Sequence, residues 1–230
     1  MTLAKIPTKI HELFIEHGLV IKVEKGCQLF QEGERAEDIF LIQSGIIQLS
    51  KETENGKELT LRICSTNGMI GEGSPFCNLH YHVATAKALE HTTLLALQYR
   101  SFELLLTEHP ALMLDYLNWL QIENMKNQSR LRDLMLHGKK GALFSTLIRL
   151  ANTYGEMRED GAIFINFALT NTEIANLCAT SREMINRMLN DLKKHNIISF
   201  DKSYITILDF HYLKDEINCE NCPISICRID

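Results

Sequence analysis

Three of the chain's seven cysteines lie within nine residues, at Cys219, Cys222 and Cys227. The spacing Cys-x2-Cys-x4-Cys brings three sulfur atoms within reach of one small inorganic centre. The step from Cys222 to Pro223 also occurs in loops that bind clusters. Zinc and iron–sulfur clusters both bind thiolates, and both generally require four ligands. The segment therefore predicts a metal site whose fourth ligand comes from elsewhere in the chain.

The remaining cysteines lie far from this segment, at Cys27, Cys64, Cys77 and Cys178. A free cysteine behaves as a small hydrophobic residue, so we expect all four to be buried rather than to bind a metal. The nine histidines form no recognisable motif with a cysteine. We therefore predict that the protein is not an enzyme.

The composition is that of an ordinary globular protein, with 45% hydrophobic and 23% charged residues in 230. This length favours two domains. No run approaches the ~20 apolar residues of a membrane span, and the N-terminal segment lacks the features of a signal peptide. We expect a cytoplasmic protein without a membrane partner, whose thiols stay reduced. The net charge of −5 argues against non-specific nucleic-acid binding through the whole surface.

A β-rich region at about residues 20–98 is the first of the elements that must position these groups. Short apolar runs such as "FLIQSGIIQLS" and "ELTLRIC" alternate as strands do, and they are separated by turns. The turn between these two runs contains Asn55-Gly56, the strongest short signal for a hairpin. Many short strands of this kind indicate a barrel or a roll.

A long helix is predicted next, because Pro110 lies near the start of an apolar-periodic segment and Gly138 follows its end. Polar Asn124 and Gln128 interrupt a stripe of leucines that recur at the spacing of a coiled coil: Leu117, Leu120, Leu131, Leu134. This pattern favours a dimer seam in which polar positions set the register. Packing of the helix against its own domain is the alternative.

The segment "LTNTEIANLCATSREMINRMLNDLKKHNII" predicts a helix-turn-helix. Thr170 with Glu173, and Thr180 with Glu183, each match a capping box, which marks the start of a helix. The first helix would bury Ile174 and Leu177, and the small Ala175 suits a close helix crossing. The buried face of the second helix would be the following set: Ile185, Met188, Leu189, Leu192. The later segment "IISFDKSYITIL" reads as a wing hairpin.

The exposed face of the second helix carries the residue types that read DNA. Arginine donates to guanine O6 and N7, and glutamate accepts from the cytosine amine. The first turns of a recognition helix are the part that contacts base edges. We therefore predict that double-stranded DNA is contacted by the following residues: Thr180, Ser181, Arg182, Glu183, Asn186, Arg187. A solvated charged face is the alternative.

These parts, in this order, resemble the CRP/FNR family of bacterial transcription regulators over nearly the whole chain. The strand region carries the resemblance in "LFQEGERAEDIFLIQSGIIQLS", "GKELTL" and "GMIGE". The resemblance implies an α+β fold with an N-terminal β-roll, a long dimerisation helix and a C-terminal winged helix-turn-helix. The implied domains are residues 1–109 for the roll, 110–137 for the helix, 138–216 for the DNA-binding domain and 217–230 for the cysteine-bearing extension.

Relatives that bind cyclic nucleotides have a Gly-Glu pair and then an Arg-Ser/Thr pair that holds the phosphate. This chain has Gly71-Glu72, but His82-Val83 stands where the second pair is expected. Neither side chain replaces the planar, permanently charged fork of arginine. We therefore expect that the roll does not bind a cyclic nucleotide, and that Gly71 and Glu72 are structural.

The C-terminal cysteines resemble those of the Bacillus-type FNR subgroup, which builds an oxygen-sensitive [4Fe-4S] cluster at this place. In that subgroup an aspartate at the end of the dimer helix is the fourth ligand, and the matching residue here is Asp133. The resemblance thus implies a cluster held by Asp133 with Cys219, Cys222 and Cys227. The alternatives are an ion pair of a solvated Asp133 with Arg130 or Arg132, His137 as the fourth ligand, a dithiol switch without metal, and zinc at the cysteines.

The resemblance also implies a function. We expect an oxygen-responsive homodimeric activator of genes for anaerobic respiration, nitrate respiration in particular, that acts with RNA polymerase. Family members with Arg, Glu and Arg at Arg182, Glu183 and Arg187 read palindromic TGTGA-type half-sites, and we expect binding while the cluster is intact. The alternative is a regulator of the same fold that senses a small ligand in the roll and carries a structural zinc.

Overall fold

The computed structural model describes residues 6–71 and 81–230. The sequence features at Glu72 and Cys77 lie outside these residues. The chain divides into two compact units, residues 1–122 with residue 230, and residues 123–229. Within the described ranges, no helix is both long and apolar enough to cross a membrane.

The first unit contains two four-stranded antiparallel sheets, with strand orders β1-β8-β3-β6 and β2-β7-β4-β5. Two short helices accompany them. In chain order the elements are α1 (Thr8–His17), β1 (Leu19–Val23), β2 (Gln28–Phe30), β3 (Asp38–Ser44), β4 (Ile47–Glu52), β5 (Glu58–Cys64), β6 (Met69–Ile70), β7 (Thr85–Ala88), β8 (Thr92–Gln98) and α2 (Tyr99–Glu108).

The hairpin predicted at Asn55-Gly56 is confirmed between β4 and β5. The Thr53 amide donates to the Lys57 carbonyl at 2.9 Å, which closes the turn. Gly56 adopts a φ of 73°, a conformation that glycine reaches without steric cost. The turn thus fixes the pairing of two strands that the sequence pattern identifies.

The core of the first unit lies on both faces of the β3–β8 sheet, because successive strand residues point to opposite faces and both faces are covered. One cluster packs α1 and α2 against the β3–β8 sheet through Phe14, Phe102 and Leu41. A second cluster contains Ile42, Leu49 and other residues of both sheets.

The expectation that the isolated cysteines are buried is confirmed for Cys64 and Cys178, which are 1% and 2% exposed. It is wrong for Cys27, which is exposed. Cys27 lies in a turn closed by its own amide on the Glu24 carbonyl, next to Gly26 at a φ of 85°. This turn places the Cys27 side chain in solvent.

The predicted long helix is α3 (Pro110–Leu136). Leu117 and Leu131 on the predicted seam are 51% and 58% exposed, and Leu120 is 36% exposed. Large apolar side chains left in solvent along one helix suit a surface that meets a partner. The first part of α3 does pack on its own unit, since Leu112 and Tyr116 are buried in that core, whereas the exposed leucines favour a dimer seam.

The second unit holds the last part of α3, four further helices and one four-stranded sheet of order β11-β12-β10-β9. The elements are α4 (Gly138–Tyr154), β9 (Gly155–Met157), β10 (Ile163–Ile165), α5 (Asn171–Leu177), α6 (Arg182–Lys194), β11 (Ile198–Asp201), β12 (Tyr204–Ile207) and α7 (Phe210–Glu216). The residues from Gly141 to Ala151 of α4 are all buried, so this helix forms the centre of the unit.

Candidate functional site

The helix-turn-helix is formed by α5 and α6, and its first cap is the one that the sequence predicts. The Thr170 hydroxyl accepts from the Glu173 amide at 3.2 Å, and the Thr170 amide donates to the Glu173 carboxylate at 2.7 Å. Ile174, Ala175 and Leu177 are buried, as are Ile185, Leu189 and Leu192 on α6, while Met188 is half-buried. The predicted buried faces of the two helices are therefore confirmed.

The second predicted capping box, Thr180 with Glu183, is wrong. The N-cap of α6 is Ser181, whose hydroxyl accepts from the Met184 amide at 3.2 Å. The Thr180 amide instead donates to the Ala175 carbonyl at 3.1 Å, which ends α5. Ala179, at a φ of 50°, turns the chain there. Because Thr180 belongs to the end of the first helix, the second helix starts one residue later.

The outer face of α6 presents the predicted DNA-contacting side chains to solvent. Arg182, Glu183, Asn186 and Arg187 are all exposed. Hydrogen bonds from its own backbone amide and from Ser181, at the start of the helix, hold the pKa of Glu183 below its usual value, so it is ionised at neutral pH. Asn186 Oδ1 accepts from Asn171 Nδ2 of α5 at 3.2 Å, which ties its amide to the first helix.

Thr180 differs from these residues because its side chain is only half-exposed. Its Oγ1 is buried and has no hydrogen-bond partner among the residues that the structure describes. The hairpin predicted as a wing follows α6 as the antiparallel strands β11 and β12. Ile198 pairs with Ile207 at one end of the hairpin, and Asp201 pairs with Tyr204 at the other. The second unit thus carries an exposed helix and a hairpin in the arrangement of a winged DNA-binding domain.

The three C-terminal thiols lie near one another. Cys222 and Cys227 are in hydrogen-bond contact, and Cys219 is close enough to act electrostatically on Cys227. Burial, with a smaller effect of the neighbouring cysteines, raises the pKa of Cys227 to about 12 against the opposing charge of Arg149. In the described part of the chain, no three His, Cys, Asp or Glu side chains are arranged to hold a metal ion. The donor chemistry fits a thiolate-bound centre, but the ligands are not assembled around one point.

The fourth predicted ligand, Asp133, is buried at 3% exposure and is bound by two arginines. Its Oδ1 accepts from Arg132 Nη2 at 2.6 Å, and its Oδ2 accepts from Arg149 Nη2 at 2.7 Å and from the Ser145 hydroxyl. Burial raises the pKa of Asp133, but these hydrogen bonds outweigh it and lower the pKa below its usual value. The alternative of a solvated carboxylate is wrong, although its pairing with Arg132 is observed.

Arg149, which is not among the predicted site residues, connects the two predicted ligand regions. Besides Asp133, the guanidinium donates to Ser129 Oγ at 2.9 Å and to the carbonyl of Ile226 at 3.2 Å. Ile226 precedes Cys227 in the tail. Arg149 is the single charged residue of the buried run "GALFSTLIRLA". A lone charge in such a run requires a buried partner, and that signal could have identified it.

The end of the tail is bound to the C-terminal half of α4. Asn152 Nδ2 donates to the Cys227 carbonyl at 2.8 Å, and Arg228 Nη1 donates to the Asn152 carbonyl at 3.2 Å. The Ile229 amide donates to the Thr153 hydroxyl at 3.1 Å. These hydrogen bonds fix the backbone on both sides of Cys227, so the position of this thiol follows the position of α4.

The comparisons with known proteins match both parts of the fold. The family model of a cyclic nucleotide-binding domain matches residues 20–109, and that of a Crp-like helix-turn-helix domain matches residues 142–216. The anaerobic regulatory protein of Bacillus subtilis (strain 168) is 46% identical over 226 residues, which are 98% of this chain and 94% of that protein. The chain belongs to the CRP/FNR family of transcription regulators.

Other known proteins are similar to this chain at lower identity. The lactate racemization regulatory protein of Lactiplantibacillus plantarum is 27% identical over 94% of this chain and 99% of its own. The c-di-GMP responsive global regulator CLP of Xanthomonas campestris has a TM-score of 0.76 at 17% identity, covering 87% of this chain and 99% of that chain. FixK2 of Bradyrhizobium japonicum has a TM-score of 0.72 at 15% identity, covering 86% of this chain and 96% of that chain. The predicted fold class is confirmed.

Within the first unit, His82 is one of the residues from which we expect no cyclic-nucleotide binding. His82 is 5% exposed, and its ring stacks on Phe30 with 3.6 Å between centroids. Burial lowers its pKa, against the opposing charge of Glu34, so the imidazole is neutral at pH 7. Gly71 has a φ of 104°, and a Cβ there would lie 3.0 Å from the Asp38 carbonyl oxygen. The first residue of the Gly-Glu pair is thus required by the backbone itself.

A small cavity of about 20 Å³, room for one water molecule, lies beside Asp133 in the second unit. It is lined by residues of α3, α4 and α5: Arg130, Asp133, Leu134, Ala142, Ser145, Thr146, Arg149, Leu177. Behind Thr146, the buried Cys178 lies 3.5 Å from the Thr146 hydroxyl, and burial raises its pKa to about 12. The surroundings of Asp133 therefore reach the first helix of the DNA-binding motif through α4.

Proposed function

We propose that this CRP/FNR-family regulator is an oxygen-responsive dimeric transcription factor. It binds palindromic TGTGA-type sites while a [4Fe-4S] cluster is held by Cys219, Cys222, Cys227 and Asp133. With RNA polymerase it activates genes for anaerobic respiration, nitrate respiration in particular. The name of the relative from Bacillus subtilis, an anaerobic regulatory protein, supports the physiological part of this proposal.

The observation that carries the proposal is the connection between the three thiols and the buried Asp133 through arginine. Arg149 donates both to Asp133 and to the carbonyl that precedes Cys227. Burying the ionised Asp133 costs free energy unless the charge is paired. Arg149 supplies that pairing, but a purely structural ion pair would not require the cysteines to lie nearby. When bound, a cluster would supply an oxygen-labile link between the tail and the end of α3.

The chain's own residues can carry the state of this site to the DNA-reading helix. Asn152 and Arg149 attach the tail to α4, and Thr146 of the same helix contacts Cys178 at the end of α5. The buried faces of α5 and α6 hold the recognition helix to this frame. A change in the contacts between the tail and α4 would therefore change the placement of Arg182 and Glu183.

The test is to purify the chain without air and to count iron and acid-labile sulfide. We expect both in the proportion of a [4Fe-4S] cluster, with the corresponding absorbance. Replacing Cys219, Cys222 or Cys227 by Ser should abolish the absorbance and oxygen-controlled transcription. Cys27→Ser is the matched control, because Cys27 is exposed and lies outside the tail.

Two results would contradict the proposal. Zinc without sulfide would indicate a structural metal at the cysteines. A colourless, iron-free wild-type chain that still binds its DNA sites would remove the sensing role and leave a regulator controlled in another way.

A further inference from the structure

The carboxylate of Asp133 has donors on both oxygens. Oδ1 accepts from Arg132 Nε at 3.0 Å and from Arg132 Nη2 at 2.6 Å. Oδ2 accepts from Arg149 Nη2 at 2.7 Å and from the Ser145 hydroxyl. A carboxylate offers about four acceptor positions, and all are used. Under the proposed function, on which this inference rests, Asp133 can serve as a ligand only after one donor leaves.

Arg149 is the donor that stays. Its side chain is 2% exposed, and it also donates to Ser129, Ser145 and the Ile226 carbonyl. If Arg149 left Asp133, it would keep these contacts but lose the only carboxylate with which it forms an ion pair among the described residues. An uncompensated charge in a buried site is strongly destabilising. Oδ2 is therefore the permanently held oxygen.

Arg132 is the donor that can leave. Its side chain is 23% exposed, and it forms a second ion pair with Glu220, which is 66% exposed. Glu220 lies between Cys219 and Cys222, and Cys222 is close enough to Arg132 for an electrostatic interaction. The guanidinium thus reaches from Asp133 to the cysteine segment. When Arg132 releases Asp133, its guanidinium keeps Glu220 as a carboxylate partner, and the freed N–H groups can bind water.

We propose that Arg132 is a positioning residue that occupies Oδ1 of Asp133 in the cluster-free chain and yields it, moving to Glu220, when Asp133 becomes a ligand. Arg149 holds Oδ2 in both states. The two arginines on one carboxylate thus have opposite roles. Arg132 competes with the metal for Asp133 and ties the cysteine segment to α3 through Glu220, whereas Arg149 presents the carboxylate.

The test makes the same substitution at both positions, Arg132→Lys and Arg149→Lys. Lysine keeps the positive charge but lacks the planar fork that binds through two nitrogens. We expect R132K to retain its cluster ~threefold to tenfold longer against an iron chelator under anaerobic conditions, because the competing contact is weaker. R149K should lose its cluster faster than wild type. The readout is the decay of cluster absorbance, with iron and sulfide counts.

A second readout uses the cluster-free protein, where activity plays no part. R149K should lower the melting temperature clearly, since a buried network is broken, and R132K should change it less. If R149K does not fold, Ser129→Ala removes one contact of Arg149 and should shift cluster retention in the same direction as R149K, by a smaller factor.

The outcomes separate this inference from the function on which it rests. Unchanged or faster cluster loss in R132K, or a shift of both lysine variants in the same direction, would overturn the role of Arg132. Both results require that wild type takes up iron and sulfide. A wild-type chain that takes up neither would overturn the proposed function and this inference together.

Discussion

At the scale of single residues, Asp133 shows why a buried charge needs several partners. An isolated carboxylate in the interior would be neutralised by a rise of its pKa. Three donor residues reverse that rise, so the group remains ionised inside the second unit. The same donors make the carboxylate a poorer ligand than a free one. The hydrogen bonds that keep Asp133 ionised therefore also determine how readily its carboxylate could coordinate a metal.

The side chain of Arg182 at the start of α6 leads to a prediction about base recognition. Arg182→Ala should weaken binding to the preferred site by ~1–3 kcal/mol and relax discrimination at one guanine, because the fork to guanine O6 and N7 is lost. The measurement is fluorescence anisotropy with the preferred duplex and with duplexes altered at single positions.

The matched control for Arg182 is Lys202→Ala, an exposed lysine in the turn of the wing. We expect this variant to weaken all duplexes alike and to lower the salt dependence, as loss of a phosphate contact does. If Arg182→Ala also weakened every duplex equally, direct reading of a base by Arg182 would be wrong.

At the scale of elements, the start of α6 gives a prediction that compares two adjacent hydroxyls. Ser181→Ala should lower the free energy of unfolding by ~0.5–2 kcal/mol, because the Met184 amide loses its cap. Thr180→Val should change it little, since the buried Thr180 Oγ1 has no partner among the described residues. Urea-induced unfolding of the cluster-free chain measures both, and equal losses would mean that both hydroxyls cap the helix.

The two caps also show what local sequence can determine. The box at Thr170 depends on residues within one turn, and the prediction is confirmed. At Thr180 and Ser181, two hydroxyls compete for one role, and the hydrogen bond of the Thr180 amide to Ala175 decides between them. Helix existence follows from periodicity, but its first residue depends on how the preceding helix ends.

The sequence patterns do not predict which residues form long-range contacts. The long helix α3, the hairpin at Asn55-Gly56 and the wing follow from patterns within a few residues. The partners of Asp133 do not, since Arg149 lies sixteen positions away along the chain and on another helix. Its isolation in an apolar run signals a buried partner without identifying which one. Cys27 shows the converse, because a local turn exposed a residue type that is usually buried.

At the scale of the whole molecule, the exposed leucines of α3 bear on assembly, since CRP-family regulators act as dimers. Leu117→Glu should convert the dimer to monomer in sedimentation velocity, because a carboxylate would have to be buried in the seam. Asn118→Glu is the matched control: Asn118 is exposed and, as the next residue, lies about 100° around the helix from Leu117, so this variant should remain dimeric. The wild-type chain should sediment as a dimer with and without the proposed cluster, because a seam of several leucines does not depend on the tail. Monomers after exposure to air would instead mean that oxygen acts on assembly rather than on the placement of the reading helices.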